Sequence, residues 1–125
     1  MNAAELPGLK VLLVEDELHV LLLIEDFLVE LGCTVESATS LDAALRAAGS
    51  APVDAAVLDV NLQGATSFPV AAVLASRRIP FVFATGYAGR RLGTPWQDRP
   101  WLQKPFVAAQ LAQALRTALQ AHSAS

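Results

Sequence analysis

The sequence has few of the features that mark secreted scaffolds, redox centres or membrane proteins. Cys33 is the single cysteine, so no disulfide can form within the chain. Its position, where a second strand should begin, predicts a buried structural thiol. No apolar run approaches the roughly 18 residues that a membrane helix needs, and residues 1–8 lack the basic-then-apolar layout of a signal peptide. These absences predict a soluble cytoplasmic domain that contacts no membrane.

The composition favours one compact domain with an extensive core. Of the 125 residues, 54% are hydrophobic and 17% are charged, which suits a sheet covered on both faces. We expect a single domain over 1–125, with short tails at 1–9 and 122–125. The net charge of −3 argues against nucleic acid as the partner.

The charge is unevenly distributed along the chain. Residues 1–59 hold eleven acids and two bases, whereas residues 60–125 hold one acid and seven bases. This asymmetry could mark a docking surface for an acidic partner or a second copy, or it could reflect solvated helix faces. The sequence leaves a monomer and a weak homodimer both open.

Four apolar runs end in polar residues. The clearest, 55–58, runs without interruption into Asp59 and is followed by a loop over 61–67 whose Gly64 suits a positive φ. Unalternating runs of this kind are typical of strands buried on both faces of a parallel sheet. A second run, 11–14, lies in a strand predicted over 10–14 and is followed by Glu15, Asp16 and Glu17. A third, 81–84, lies in a strand predicted over 79–84 and is followed by Thr85, and a short fourth segment, 101–103, is followed by Lys104.

Helical patterns separate these runs. Helices are predicted over 19–31, over a short segment through residue 48 with Ser40 as its N-cap, over 68–77 and over 107–121. A second strand is predicted over 34–38, and the glycine- and proline-rich stretch 86–100 resembles a basic loop around a poor fifth helix. The alternation predicts a flavodoxin-like doubly wound α/β fold, with five parallel strands in the order 2-1-3-4-5 and five helices.

The strand ends predict a metal site, because ligands of such sheets collect beyond the carboxyl ends of the strands. Carboxylates packed together there would repel, and a hard divalent cation relieves that repulsion. Mg²⁺ prefers carboxylates, a carbonyl and waters. Asp16 and Asp59 are the predicted direct ligands, with Glu15 acting mostly through water and the Asn61 backbone carbonyl completing the protein ligands. Glu17 is predicted to be a solvated loop acid.

The same edge could support phosphoryl transfer. An aspartate beside Mg²⁺ can attack a phosphoryl group and form an acyl phosphate. Mg²⁺ would bind one phosphoryl oxygen, Lys104 a second, and the Thr85 hydroxyl with nearby backbone N–H groups a third. Taken alone, Lys104 could be a surface charge and Thr85 a helix cap. Their joint position at the strand ends favours Asp59 as the acceptor of the phosphoryl group.

With these residues in place, the sequence resembles a receiver domain of the two-component response regulators over essentially its whole length. The match is carried by Glu15-Asp16, Asp59, Thr85 and Lys104-Pro105-Phe106. Residues 80–87 read PFVFATGY and resemble the motif of the FAT GUY group, which are often single-domain regulators of alphaproteobacterial stress signalling.

The resemblance implies a switch. A histidine kinase or phosphotransfer protein would pass phosphate to Asp59, with Mg²⁺ as cofactor, and Thr85 would move toward the phosphoryl group. The segment after it would then change its arrangement for a downstream protein partner. The Lys104–Pro105 bond is implied to be cis. Trp101 stands where ordinary receivers place their switch aromatic, although the FAT GUY group usually lacks one there, and Tyr87 is the favoured candidate.

Other readings remain. The favoured function is a stand-alone signalling switch, phosphate shuttle or phosphate sink, not an enzyme in the ordinary sense, although it would assist its own phosphorylation and slow dephosphorylation. A phosphate-independent protein-binding adaptor of the same fold would not need all of these site residues, and a receiver fragment of a longer regulator is a further alternative. An aspartyl phosphatase of similar fold would need a second acid two residues after Asp59. The sequence has Asn61 there, which disfavours this function.

Overall fold

The computed structural model describes residues 6–86 and 93–124, with side chains through residue 121. Seven strands and four helices lie in these residues. In chain order they are β1 (Lys10–Val14), α1 (Leu18–Glu30), β2 (Thr34–Ala38), α2 (Leu41–Ser50), β3 (Ala55–Asp59), β4 (Asn61–Leu62), β5 (Ala65–Thr66), α3 (Phe68–Ser76), β6 (Phe81–Thr85), β7 (Trp101–Gln103) and α4 (Ala108–Ala124).

The main sheet has five parallel strands in the order β2-β1-β3-β6-β7. This is the predicted 2-1-3-4-5 order, because β4 and β5 form a separate two-stranded hairpin. The three central strands are buried along almost their whole length, and only Lys10 at the start of β1 is exposed. Their uninterrupted apolar runs therefore correspond to burial on both faces, as the sequence predicted.

Two hydrophobic layers cover the sheet. One joins α1 and α4 to a face that includes Leu13, Val57 and Val82. The other joins α2 and α3 to a face that includes Leu58 and Phe83. Adjacent residues of one strand thus serve different layers, and the flavodoxin-like fold class is confirmed.

Local sequence signals set two helix boundaries. The Ser40 hydroxyl accepts a hydrogen bond of 3.1 Å from the Ala43 amide, which confirms the predicted N-cap. Beyond α1, Gly32 has φ +90°, and a Cβ there would lie 3.0 Å from the Pro7 Cα. A side chain at that position would therefore clash in a conformation that already disfavours L-residues.

The structure departs from the prediction in several places. Leu6, assigned to a tail, is buried in the core, and α4 continues to Ala124. The loop after Asp59 contains the β4–β5 hairpin, whose two-residue strands are too short to give a periodic signal; its Gly64 has the predicted positive φ, +88°. Residues 93–100 form turns rather than a fifth helix. The prediction also covered residues 87–92, which lie outside the described residues.

Cys33 is buried, as predicted, and its thiol donates to the Leu6 carbonyl over 3.5 Å. None of the four helices that can be described is long and apolar enough to cross a bilayer.

Candidate functional site

The carboxyl ends of four neighbouring strands bring the predicted site residues together. Asp59 is the last residue of β3 and Thr85 the last of β6, while Glu15 follows β1 and Lys104 follows β7. Asp59 pairs in register with Ala84, the residue before Thr85. Parallel strands in this order place all four side chains at one edge.

Lys104 links the two buried acids. Its Nζ lies 2.6 Å from Glu15 Oε1 and 3.4 Å from Asp59 Oδ1. Glu15 is 1% exposed and Asp59 is 8% exposed. The second Glu15 oxygen accepts from the Glu17 amide over 3.2 Å, so both oxygens of this carboxylate are engaged by the protein.

The site resists a negative charge on Asp59. Burial, the largest cause, raises the pKa of Asp59 from 3.8 to about 7. Lys104 opposes that rise, whereas the Glu15 charge and hydrogen bond add to it. For Lys104, burial alone would lower the pKa, but the Glu15 hydrogen bond and the Asp59 and Glu15 charges outweigh it and raise the pKa.

The acids form a donor set that fits a hard cation. Glu15, Asp16 and Asp59 each offer a carboxylate oxygen, and these oxygens lie within 4.8 Å of one another. All the donors are oxygens, as Mg²⁺ prefers, and a divalent cation would offset the burial and like-charge repulsion that disfavour ionised Asp59. The donor chemistry therefore fits the predicted metal.

The hairpin after Asp59 helps to shape this donor set. Asp16 Oδ2 accepts from the Gln63 amide over 2.9 Å, and Asp59 Oδ1 faces the Asn61 amide at 3.4 Å. Gln63 has φ +52°, a conformation uncommon for its residue type. No local sequence pattern predicts the contact between Gln63 and Asp16, because the contact depends on how the hairpin folds.

Two of the three predicted switch residues, Thr85 and Trp101, lie among the described residues. Thr85 is 3% exposed at the end of β6. The Trp101 ring lies 4.6 Å from the Phe83 ring, and its indole N–H donates to the Trp96 carbonyl over 3.0 Å. Tyr87 falls outside the described residues.

The Lys104–Pro105 peptide bond is cis, the isomer that the resemblance implied. Glu17 is exposed and forms the N-cap of α1 without a side-chain cap, in keeping with a solvated loop acid.

The fold and the site thus define the class of protein: a doubly wound α/β domain with acids and a lysine at the carboxyl edge of its sheet. A family model for the response regulator receiver domain matches residues 11–116. The chain belongs to the response regulator receiver domain family, and it is a receiver of the two-component signalling type.

Solved structures agree with this assignment. The solution structure of SdrG from Sphingomonas melonis Fr1 is 43% identical, with a TM-score of 0.80, and the match covers 96% of this chain and 99% of that one. A response regulator receiver protein from Sinorhizobium medicae WSM419 is 30% identical, with a TM-score of 0.80 and coverage of 92% and 97%.

A third similar structure contains a metal. The receiver domain of the sensor histidine kinase PA1611 from Pseudomonas aeruginosa PAO1 is 25% identical, with a TM-score of 0.76 and coverage of 90% and 98%. Its structure has a magnesium ion coordinated in the active site cleft. The search of curated proteins finds no match.

Proposed function

We propose that Asp59 is the phosphoacceptor of a cytoplasmic switch, phosphorylated by a histidine kinase or a phosphotransfer protein. The observation that carries this proposal is the position of Asp59, 8% exposed and 3.4 Å from the Lys104 ammonium, beside two further carboxylates. A surface acid has no need of this arrangement, whereas an acyl phosphate needs both a nucleophile and nearby positive charge.

The reaction begins with the ionised Asp59 carboxylate. One of its oxygens attacks phosphorus, the bond from phosphorus to the donor's leaving atom breaks, and the leaving group departs with the electron pair. The Lys104 ammonium then binds one phosphoryl oxygen. The Thr85 hydroxyl, at the end of the adjacent strand β6, donates a hydrogen bond to another. Hydrolysis later returns Asp59 to its carboxylate, so the domain assists its own phosphorylation and slow dephosphorylation.

A Mg²⁺ ion would be held by Asp16, Asp59 and the Asn61 backbone carbonyl, and when bound it supplies charge neutralisation at the phosphoryl group. Glu15 has a different part in this proposal. Because one of its oxygens contacts Lys104 and the other the Glu17 amide, Glu15 holds the lysine and reaches the metal through water. The magnesium in the PA1611 receiver supports this assignment.

The response to phosphate starts at Thr85 and passes to the residues that follow β6. Trp101 is tied by its hydrogen bond to Trp96 and its packing on Phe83. Rotation of the indole would break both contacts, which favours Tyr87 as the aromatic that moves. The contact with Trp96 thus supports the choice made from the sequence.

The test is the intact-protein mass after incubation with Mg²⁺ and acetyl phosphate. We expect the wild type to gain one phosphate and Asp59→Asn to gain none. Asp26→Asn, which removes an exposed acid of α1, is the matched control and should be labelled like the wild type. Chelation of Mg²⁺ with EDTA should strongly slow labelling.

Labelling of Asp59→Asn at the wild-type rate would overturn the assignment of the acceptor. If wild type gains phosphate from neither acetyl phosphate nor phosphoramidate, the proposal of a self-assisted acceptor is wrong. Labelling that is unaffected by EDTA would instead overturn the metal assignment alone.

A further inference from the structure

A cavity of about 670 Å³ lies at the edge of the sheet opposite Asp59. It adjoins Phe81, the first residue of β6, and Pro100, which precedes β7. Its apolar walls include Ile79 and the small side chains Ala75 of α3 and Ala118 of α4. Its volume falls within the range of pockets that take small ligands.

Two guanidinium groups line this cavity. Arg99 is half-buried, with its Cζ 4.5 Å from the centroid of the Phe81 ring and 5.6 Å from that of Trp96. Arg78 is exposed at the cavity mouth. Within residues 6–86 and 93–121, neither arginine forms an ion pair; the ion pairs there all involve Lys104. The cavity therefore presents two guanidinium groups that have no carboxylate partner among the described residues.

Arg78 stands where local folding favours glycine. Its φ is +58°, and its amide donates to the Ala75 carbonyl over 3.0 Å, while the Ile79 amide donates to Leu74 over 2.9 Å. These two bonds close α3 in the manner of a Schellman motif, in which the left-handed residue is usually glycine. An L-residue in that conformation costs roughly 1–2 kcal/mol, so backbone preference does not account for an arginine here.

We propose that this cavity is a second ligand site, which binds a small organic anion on an apolar body. Planar guanidinium groups match the paired oxygens of a carboxylate, sulfonate or phosphate ester, and the apolar walls suit a hydrocarbon body. Asp98 also lines the cavity. Its negative charge offsets one of the two arginines, so the lining carries one net positive charge, which favours a monoanion. The proposal does not depend on the function of Asp59.

The test is a fluorescence titration with 8-anilinonaphthalene-1-sulfonate, a monoanion on an aromatic body. N-phenyl-1-naphthylamine, which lacks the sulfonate, is the neutral comparison. We expect the sulfonate to bind the native protein more tightly than the neutral dye. Loss of one charge-assisted contact, in Arg78→Gly or Arg99→Gln, should weaken sulfonate binding about tenfold. Asp98→Asn should strengthen it.

Three further measurements test the interpretation: one concerns folding, one the choice of arginine and one the location of the bound dye. Arg78→Gly should be at least as stable to urea as the wild type, because glycine suits the left-handed conformation. Arg116→Gln removes an exposed arginine of α4 that does not line the cavity, and it should bind the sulfonate unchanged. Amide chemical shifts in the titrated wild type should move around Phe81 and Arg99.

The proposal is wrong if the neutral dye binds as tightly as the sulfonate. It is also wrong if Arg78→Gly and Arg99→Gln both bind the sulfonate like the wild type. Shifts confined to the exposed Leu18 and Leu22 of α1 would place the dye on that helix and overturn the assignment of the cavity.

Discussion

Replacing Asp59 with asparagine should make the metal-free protein increasingly more stable relative to the wild type as the pH rises. The unfolded chain releases the Asp59 proton near the ordinary pKa of 3.8, whereas the folded protein holds it until about pH 7, chiefly because the carboxyl is buried. Between these values the folded state binds more protons than the unfolded state. The free energy of unfolding therefore falls as the pH rises through this window, and the loss is complete above about pH 7.

The size of the effect follows from the shift. Each unit of pKa corresponds to about 1.4 kcal/mol, so the full shift sets a ceiling of about 4 kcal/mol, of which about 3 kcal/mol is lost between pH 5 and pH 8. Asp59→Asn has no proton to release there and lacks this loss. The amide itself adds an offset that is the same at both pH values, so the informative quantity is the change in the difference between the two proteins.

The assay is urea unfolding in EDTA at pH 5 and pH 8, followed by circular dichroism. Asp26→Asn, which removes the same charge from an exposed site, should track the wild type at both pH values. If the difference between wild type and Asp59→Asn changes by less than about 0.5 kcal/mol between these conditions, the inference that burial strains the Asp59 carboxylate is refuted.

Mg²⁺ provides an independent arm of the same experiment. At about 100 times its dissociation constant, a ligand of the folded state adds about 2.7 kcal/mol. We expect Mg²⁺ to stabilise the wild type most at pH 8, where the ionised carboxylate is available. Asp59→Asn should gain much less, and an equal gain in both proteins would contradict the proposed ligand set.

Two further predictions concern other buried groups. Lys104→Ala should destabilise the protein by about 3 kcal/mol at pH 8, because it leaves the buried Glu15 carboxylate without its cation. The control Arg116→Ala, at an exposed position, should change the urea midpoint little. An equal effect of both substitutions would contradict the stabilising role of the Lys104–Glu15 ion pair. Burial raises the pKa of the Cys33 thiol, so Cys33 should react with Ellman's reagent only when urea unfolds the protein; rapid reaction of the native protein would contradict its placement in the core.

The sequence predicted the sheet well because the central strands carry their own signal. Runs such as 55–58 are apolar at every position, are too short for a typical helix and end in turn residues, which favours a strand buried on both faces. The strand order then placed Glu15, Asp59 and Lys104 at one edge without any knowledge of side-chain contacts. Fold and site followed from the same pattern.

What the sequence missed depends on contacts between distant residues. Leu6 is buried in the core, and two residues later the Gly8 amide donates to the Gly32 carbonyl just beyond the end of α1. The bond between Gln63 and Asp16 spans 47 positions. Neither contact leaves a periodic trace, so local patterns could not have found them.

The Trp101 contacts assign this residue a structural part in the site. β7 is a three-residue edge strand, and such a strand gains little from its ladder alone. Trp101 fixes it by packing on Phe83 of the neighbouring strand and by its hydrogen bond to Trp96. Lys104 follows directly, and its ammonium must reach Glu15 across the sheet from 89 positions away. An indole that holds β7 in place therefore also helps to hold the lysine that contacts both buried acids. An inward swing of the same ring would loosen that lysine, which the proposed acyl phosphate would require.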